Sequence, residues 1–114
     1  MNPKKYRYEF SDNVLVHPGD TLVICHPRAE FYVTSRCDIA TSSLQHNGED
    51  AMCLAYGTED NHVILDCVGD FRNQPDPNGF TVCGIEHATR DRTLRRKCDV
   101  VTGNQGDWNT SSSK

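Results

Sequence analysis

Large apolar side chains are scarce in this chain of 114 residues. The apolar set makes up 36 % and the aromatics 8 %, with one tryptophan and two methionines; a usual apolar share, counting glycine, is about 45 to 50 %. Burial alone would leave a domain of this size marginal. No apolar run is long enough for a membrane helix, and none follows the opening Met-Asn-Pro-Lys-Lys, so neither a transmembrane segment nor a signal peptide is expected within the chain. No two cysteines lie closer than twelve residues, which argues against structural zinc with its short ligand spacings. Gly-x-Ser-x-Gly, His-Glu-x-x-His, a phosphate-binding glycine loop and an EF-hand pattern are all missing. No catalytic residue is assigned on that basis, and no enzyme is expected. Five histidines, His17, His26, His46, His62 and His87, could in principle serve as ligands or bases, but none sits in a diagnostic motif.

Cysteine is the residue this chain does have. Cys25, Cys37, Cys53, Cys67, Cys83 and Cys98 are even in number and spaced at gaps of 12, 16, 14, 16 and 15. They read as three disulfides, each contributing roughly 2 to 4 kcal/mol and each persisting only in an oxidising compartment. The protein is therefore expected to be secreted or held at the extracellular cell surface. Six cysteines allow fifteen connectivities, and spacing selects none of them.

Alternating apolar and polar residues recur along the chain, which is the period of strands. Tyr6, Tyr8 and Phe10 share one face, and Val63, Leu65 and Cys67 share another. Further strand candidates are residues 13–16, 20–26, 30–34, 51–56, 79–84 and 97–101. His17-Pro-Gly-Asp20, Asn47-Gly48, Tyr56-Gly57 and Pro75-Asp-Pro-Asn-Gly79 supply turns between them. Eight short strands predict a single β-sandwich domain over residues 1–102. Residues 85–96 read as a loop with at most one helical turn. Residues 103–114, "GNQGDWNTSSSK", read as a flexible polar tail carrying the one N-glycosylation sequon, at Asn109.

Charge is unevenly placed. Residues 1–8 carry three positive charges, residues 9–89 carry three positive against thirteen negative, and residues 90–97 carry five positive against one negative. The basic run, with Arg90, Arg92, Arg95, Arg96 and Lys97, is a candidate surface for an extracellular protein receptor or an acidic or sulfated glycan. A solvated loop that balances an acidic body is the plainer reading. A net charge of −4 argues against nucleic acid as a partner.

"HPGDTLVICHP", residues 17–27, resembles the β-hairpin of two cupredoxin-fold groups, the plant phytocyanins and the animal ephrins. The resemblance implies an all-β, disulfide-braced Greek-key sandwich of cupredoxin-like type. In "VCGIEHATRDRTL", Cys83-Gly84 matches the phytocyanin disulfide cysteine and His87 stands one residue early for a copper ligand. No ligating cysteine follows in the loop and no methionine follows Met52, so a copper-free member with no cofactor is expected. The ephrin comparison implies a Cys25–Cys53 bond and a bond from Cys37 to Cys83 or Cys98, whereas phytocyanins imply Cys37 with Cys83.

It also sets "GDFRNQPDPNGF" where ephrins carry a receptor-inserting loop, making Phe71, Arg72, Asn73, Pro75, Pro77 and Asn78 candidate binding residues. The tip lacks the large apolar anchors such insertion uses, and a proline-stiffened connection with Phe71 and Phe80 in the core is the alternative. Trp108 has no evident burial partner. The functional expectation is extracellular recognition without catalysis, through loops. A copper-binding electron-transfer cupredoxin, with His46 or His62 beside Cys83 and His87, and a small secreted effector or inhibitor of a host protein are the alternatives.

Overall fold

In the middle of the chain strand periodicity produces strands. The structure is a computed structural model, which describes residues 7–44, 48–73 and 78–113. Among these, strand residues outnumber helical ones, and the chain divides into two compact units, Met1–Gln45 and His46–Lys114.

In the second unit, β3 (Met52–Gly57) and β4 (His62–Val68) pair antiparallel, with a bulge between Leu54 and Ala55. Thr58 and Asn61 close the connection, the Thr58 N–H donating to the Asn61 carbonyl at 2.9 Å. Cys53 and Cys67 stand directly opposite each other in the register, and their side chains are joined in a disulfide with Cα atoms 4.1 Å apart. That is the close approach of a non-hydrogen-bonded antiparallel pair, which places two Sγ atoms within bonding reach.

The first unit holds β1 (Ile24–Cys25), the short helix α1 (Phe31–Thr34) and β2 (Ile39–Ala40), with β1 and β2 parallel. A parallel pair needs a crossover of a dozen or so residues, and helix is the compact way to make one. Here the Cys25–Cys37 disulfide, with Cα atoms 6.0 Å apart, requires the chain to return within twelve residues. The stretch 30–34, expected as a strand, therefore folds as α1. The Thr34 and Ser35 hydroxyls support it by donating to the Phe31 and Tyr32 carbonyls at 3.3 and 3.1 Å. Asp38 fastens β2 to the end of the preceding segment, its carboxylate accepting from the Val23 N–H at 2.7 Å.

The turn expected at 17–20 is present, with the Asp20 N–H donating to the His17 carbonyl at 2.9 Å and Gly19 at φ +86°. The flanking stretches 13–16 and 20–23 do not pair as a hairpin. Stretches 79–84 and 97–101 also lack strands, apart from a bridge between Val82 and Ile85. Among the described residues, four short strands in two separate two-stranded sheets stand where the alternation predicts eight. Leu15, Val16, Phe31 and Val101 are largely exposed, so these apolar residues gain no packed face to drive pairing.

The expected flexible tail is a folded element. Residues 108–112 form α2 (Trp108–Ser112), capped by Asp107, whose carboxylate accepts from the Thr110 N–H at 3.1 Å and from its hydroxyl at 2.8 Å. Trp108 meets Phe80 edge to face, with ring centroids 6.2 Å apart. Phe80, Ala88 and Cys67 are the buried apolar side chains of this unit among the described residues. Gly48 packs so closely against the backbone of Thr89 and Arg90 that a Cβ there would overlap the Thr89 carbonyl, and it sits at φ +90°, where side chains are disfavoured.

Candidate functional site

The basic segment 90–97 is an exposed run of turn and coil that is anchored near both ends. At its start the Thr89 hydroxyl accepts from the Phe80 N–H at 2.7 Å and donates to the Gly48 carbonyl at 2.6 Å. The Ala88 N–H donates to the Phe80 carbonyl at 3.0 Å. Near its end the Arg96 guanidinium binds Asp66 through both of its terminal nitrogens, the second bond being 3.1 Å. Asp66 lies on β4 and is the one acidic residue of that strand.

The Asp66 carboxylate also accepts from the Asn104 N–H at 3.0 Å. Its partial burial pushes the carboxyl pKa upward, but the Arg96 bond, the backbone N–H groups and the Arg96 charge outweigh that and hold it below its ordinary value. The same hydrogen bond raises Arg96. Arg96 is thus committed to the fold. Arg92, Arg95 and Lys97 are exposed and make no ion pair among the described residues, while Arg90 faces Asp91 at 3.8 Å.

The second candidate surface, residues 71–78, is placed differently. Phe71 is half-buried with the Arg72 guanidinium 5.2 Å from its ring centroid. Asn73 is folded back on Asp70, its side-chain amide donating at 2.7 Å and its N–H donating to the Asp70 carbonyl at 3.1 Å. Asn78 is exposed; Pro75 and Pro77 lie outside the described residues. Phe80 is buried, whereas Phe71, which the connection reading also places in the core, is only half-buried. The two candidate surfaces share a root, because Phe80 is the residue that Thr89 and Ala88 bind.

Asn104 is the structural residue that composition hides. Its side-chain oxygen accepts from the Cys67 and Gly106 N–H groups, both at 2.9 Å, and its amide donates to the Cys67 carbonyl at 2.9 Å and to the Ser111 hydroxyl at 3.0 Å. One side chain thereby does for the outer edge of β4 what a neighbouring peptide would do. The Gln105 N–H continues the edge by donating to the Leu65 carbonyl at 3.0 Å. The available signals were the glycines around Asn104 and the Asp-x-x-Thr cap at 107–110, which mark a built turn and helix start rather than a loose end.

The cysteines resolve into Cys25–Cys37, Cys53–Cys67 and two exposed free thiols, Cys83 and Cys98. Neither the Cys25–Cys53 pairing nor any of the bonds from Cys37 to Cys83 or Cys98 implied by the resemblance is formed. The register of β3 and β4 gives Cys53 to Cys67, and the crossover between β1 and β2 gives Cys25 to Cys37. Cys83 lies at φ +50° beside a cleft of ≈ 380 Å³ lined in part by Asp70, Phe80, Trp108 and Asn109. Asn109, the sequon residue, is exposed on α2.

The histidines are scattered. The ring Nδ1 of His26 accepts from the Arg28 N–H at 3.0 Å, and that of His62 lies 3.0 Å from both the Thr58 and Glu59 carbonyls. His17 and His87 are exposed, and His46 lies outside the described residues. Among those residues no group of three His, Cys, Asp or Glu side chains converges as a metal site would require. No helix among them is long and apolar enough to cross a membrane. No protein-family model, no curated protein and no solved structure matches this chain.

Proposed function

We propose that this chain is a non-enzymatic recognition protein of an extracellular, oxidising compartment, and that it engages a sulfated, polyanionic glycan through Arg92, Arg95 and Lys97. The observation that carries the reading is the anchoring of the basic segment. With Thr89 bonded at one end and Arg96 bonded to Asp66 at the other, Arg92 and Arg95 are displayed on a tethered loop, and Lys97 directly follows its second anchor. Tethering lowers the ordering cost of binding. Two disulfides support the compartment. The reading rests on these features and not on a cupredoxin-like Greek-key sandwich, to which only the sequence at 17–27 speaks. Glycosylation at Asn109 belongs to the same extracellular reading.

The test is heparin affinity across a salt gradient. The wild-type protein should be retained and should elute with rising salt, and R92A/R95A/K97A should bind about tenfold more weakly with a shallower salt dependence and an unchanged melting temperature. Arg96 is left in place because its loss would disturb the fold. Equal retention of the variant removes the segment from the site. Capture of an acidic protein with no heparin retention would move the assignment to a protein receptor.

A further inference from the structure

We propose that Cys83 and Cys98 form a third disulfide in this protein, and that closing it gathers the ends of the basic segment and tightens its grip on anions. The crosslink stands on the cysteine arrangement alone; its effect on binding rests on the glycan reading above. Both disulfides already present join cysteines that are consecutive in the sequence, at separations of 12 and 14. Cys83 and Cys98 are the remaining consecutive pair, 15 residues apart. Both belong to the unit His46–Lys114, and both thiols are exposed. The existing bonds each have one buried partner, Cys25 or Cys67, so exchange chemistry falls to the two accessible thiols.

The chain between them is irregular and fastened at few points, chiefly Thr89 and Arg96. Apart from the bridge residue Ile85, residues 84–97 contain no strand or helix, and Ala88 and Thr89 are the only ones not exposed. His87 and Asp91, at φ +58° and +51°, hold conformations that side chains disfavour. Cys83 is held by its N–H, which donates to the Ser112 carbonyl at 2.6 Å. Cys98 makes no hydrogen bond among the described residues and is the free end. Fourteen intervening residues are ample for the Cα approach of about 4.4 to 6.8 Å that a disulfide needs. A loop of this length also gains substantially from closure.

The oxidant is a small-molecule disulfide such as oxidised glutathione. The Cys83 thiolate attacks one of its sulfurs, forming a mixed disulfide and expelling one glutathione thiolate. The Cys98 thiolate then attacks Cys83 Sγ, forming Cys83–Cys98 and expelling the second. The two cysteines lose two electrons and two protons, and the glutathione disulfide takes up both to become two thiols.

The experiment treats the full chain with oxidised glutathione, blocks remaining thiols, and maps peptides without reduction. The expected result is a monomer with Cys83 and Cys98 linked, Cys25–Cys37 and Cys53–Cys67 intact, and free thiols falling from two to none. C83S and C98S should each retain a glutathione adduct on the remaining cysteine, because nothing resolves it. Intermolecular crosslinks, or stable adducts at both positions of the wild-type chain with no linked peptide, overturn the proposal. Heparin elution of the oxidised form should then show binding about threefold to tenfold tighter than the reduced form, and C83S/C98S should show no redox response. A mapped crosslink with equal heparin binding in both forms overturns the regulatory half. Failure of either form to bind heparin overturns the glycan reading and leaves the crosslink standing on the peptide map.

Discussion

Two stretches of the same compact unit differ sharply in how they are held. The hairpin of β3 and β4 has a cross-strand disulfide, a paired ladder and an outer edge sealed by Asn104 and Gln105. The segment 83–98 has two free thiols, three non-glycine residues at positive φ and contacts concentrated at Thr89 and Arg96. The difference shows where this apolar-poor chain places its order. Directional bonds and a crosslink concentrate on the hairpin, and the cationic segment is left exposed and fastened at points. Low intrinsic stability is the usual property of binding segments.

The hairpin side of the comparison breaks most readily. Replacing Cys53 and Cys67 together by alanine should lower unfolding stability by about 3 kcal/mol, since a loop of this length gains that much from crosslinking; urea denaturation gives the value. Asn104→Ala follows at about 2 to 3 kcal/mol, because it leaves the Cys67 N–H and carbonyl without their partners. Retention of full stability would show that water replaces the amide without loss. Thr89→Val keeps shape but removes the acceptor of the Phe80 N–H, and should cost about 1 to 2 kcal/mol in a thermal melt.

Acid titration probes the point of attachment between the two stretches. The Asp66 carboxyl is held below its ordinary value, so its contribution to stability is present above the usual aspartate range of about 4 and is lost as pH falls through the lower, folded value. Asp66→Asn should lower stability by about 1 kcal/mol at neutral pH and flatten this acid limb, which a series of melts from neutral to acidic pH would display. At the other extreme, C83S/C98S under reducing conditions should change stability by no more than about 0.5 kcal/mol, as substitutions at exposed sites do. A large loss there would erase the contrast between the two stretches.

The hairpin was legible in the sequence because alternation in 51–56 and 62–67 coincided with cysteines and a turn between them. The same alternation misled at 30–34, where the crosslink and the parallel pairing demand a compact return and so a helix. It also misled at 97–101, where Val100 and Val101 are exposed. Of the candidate site, the cluster of cations was plain, yet its division was not. Arg96 is a structural anchor while Arg92, Arg95 and Lys97 make no ion pair among the described residues, a distinction that depends on Asp66 lying thirty residues earlier in the chain. Polar composition makes residues 103–114 read as a loose tail, whereas Asn104 and Asp107 are polar residues employed in specific hydrogen bonds.

The sequence by itself determined the shortage of apolar side chains, the reliance on cysteine, the middle hairpin's strand pattern, the turn at 17–20 and the segregation of positive charge at 90–97. These follow from composition and from interactions between near neighbours. The tertiary structure decided which cysteines pair, which arginine is bound to the fold, and that Asn104 and Gln105 cover a strand edge. Each of those depends on groups far apart in sequence meeting at hydrogen-bond or covalent distance, which periodicity and spacing do not encode.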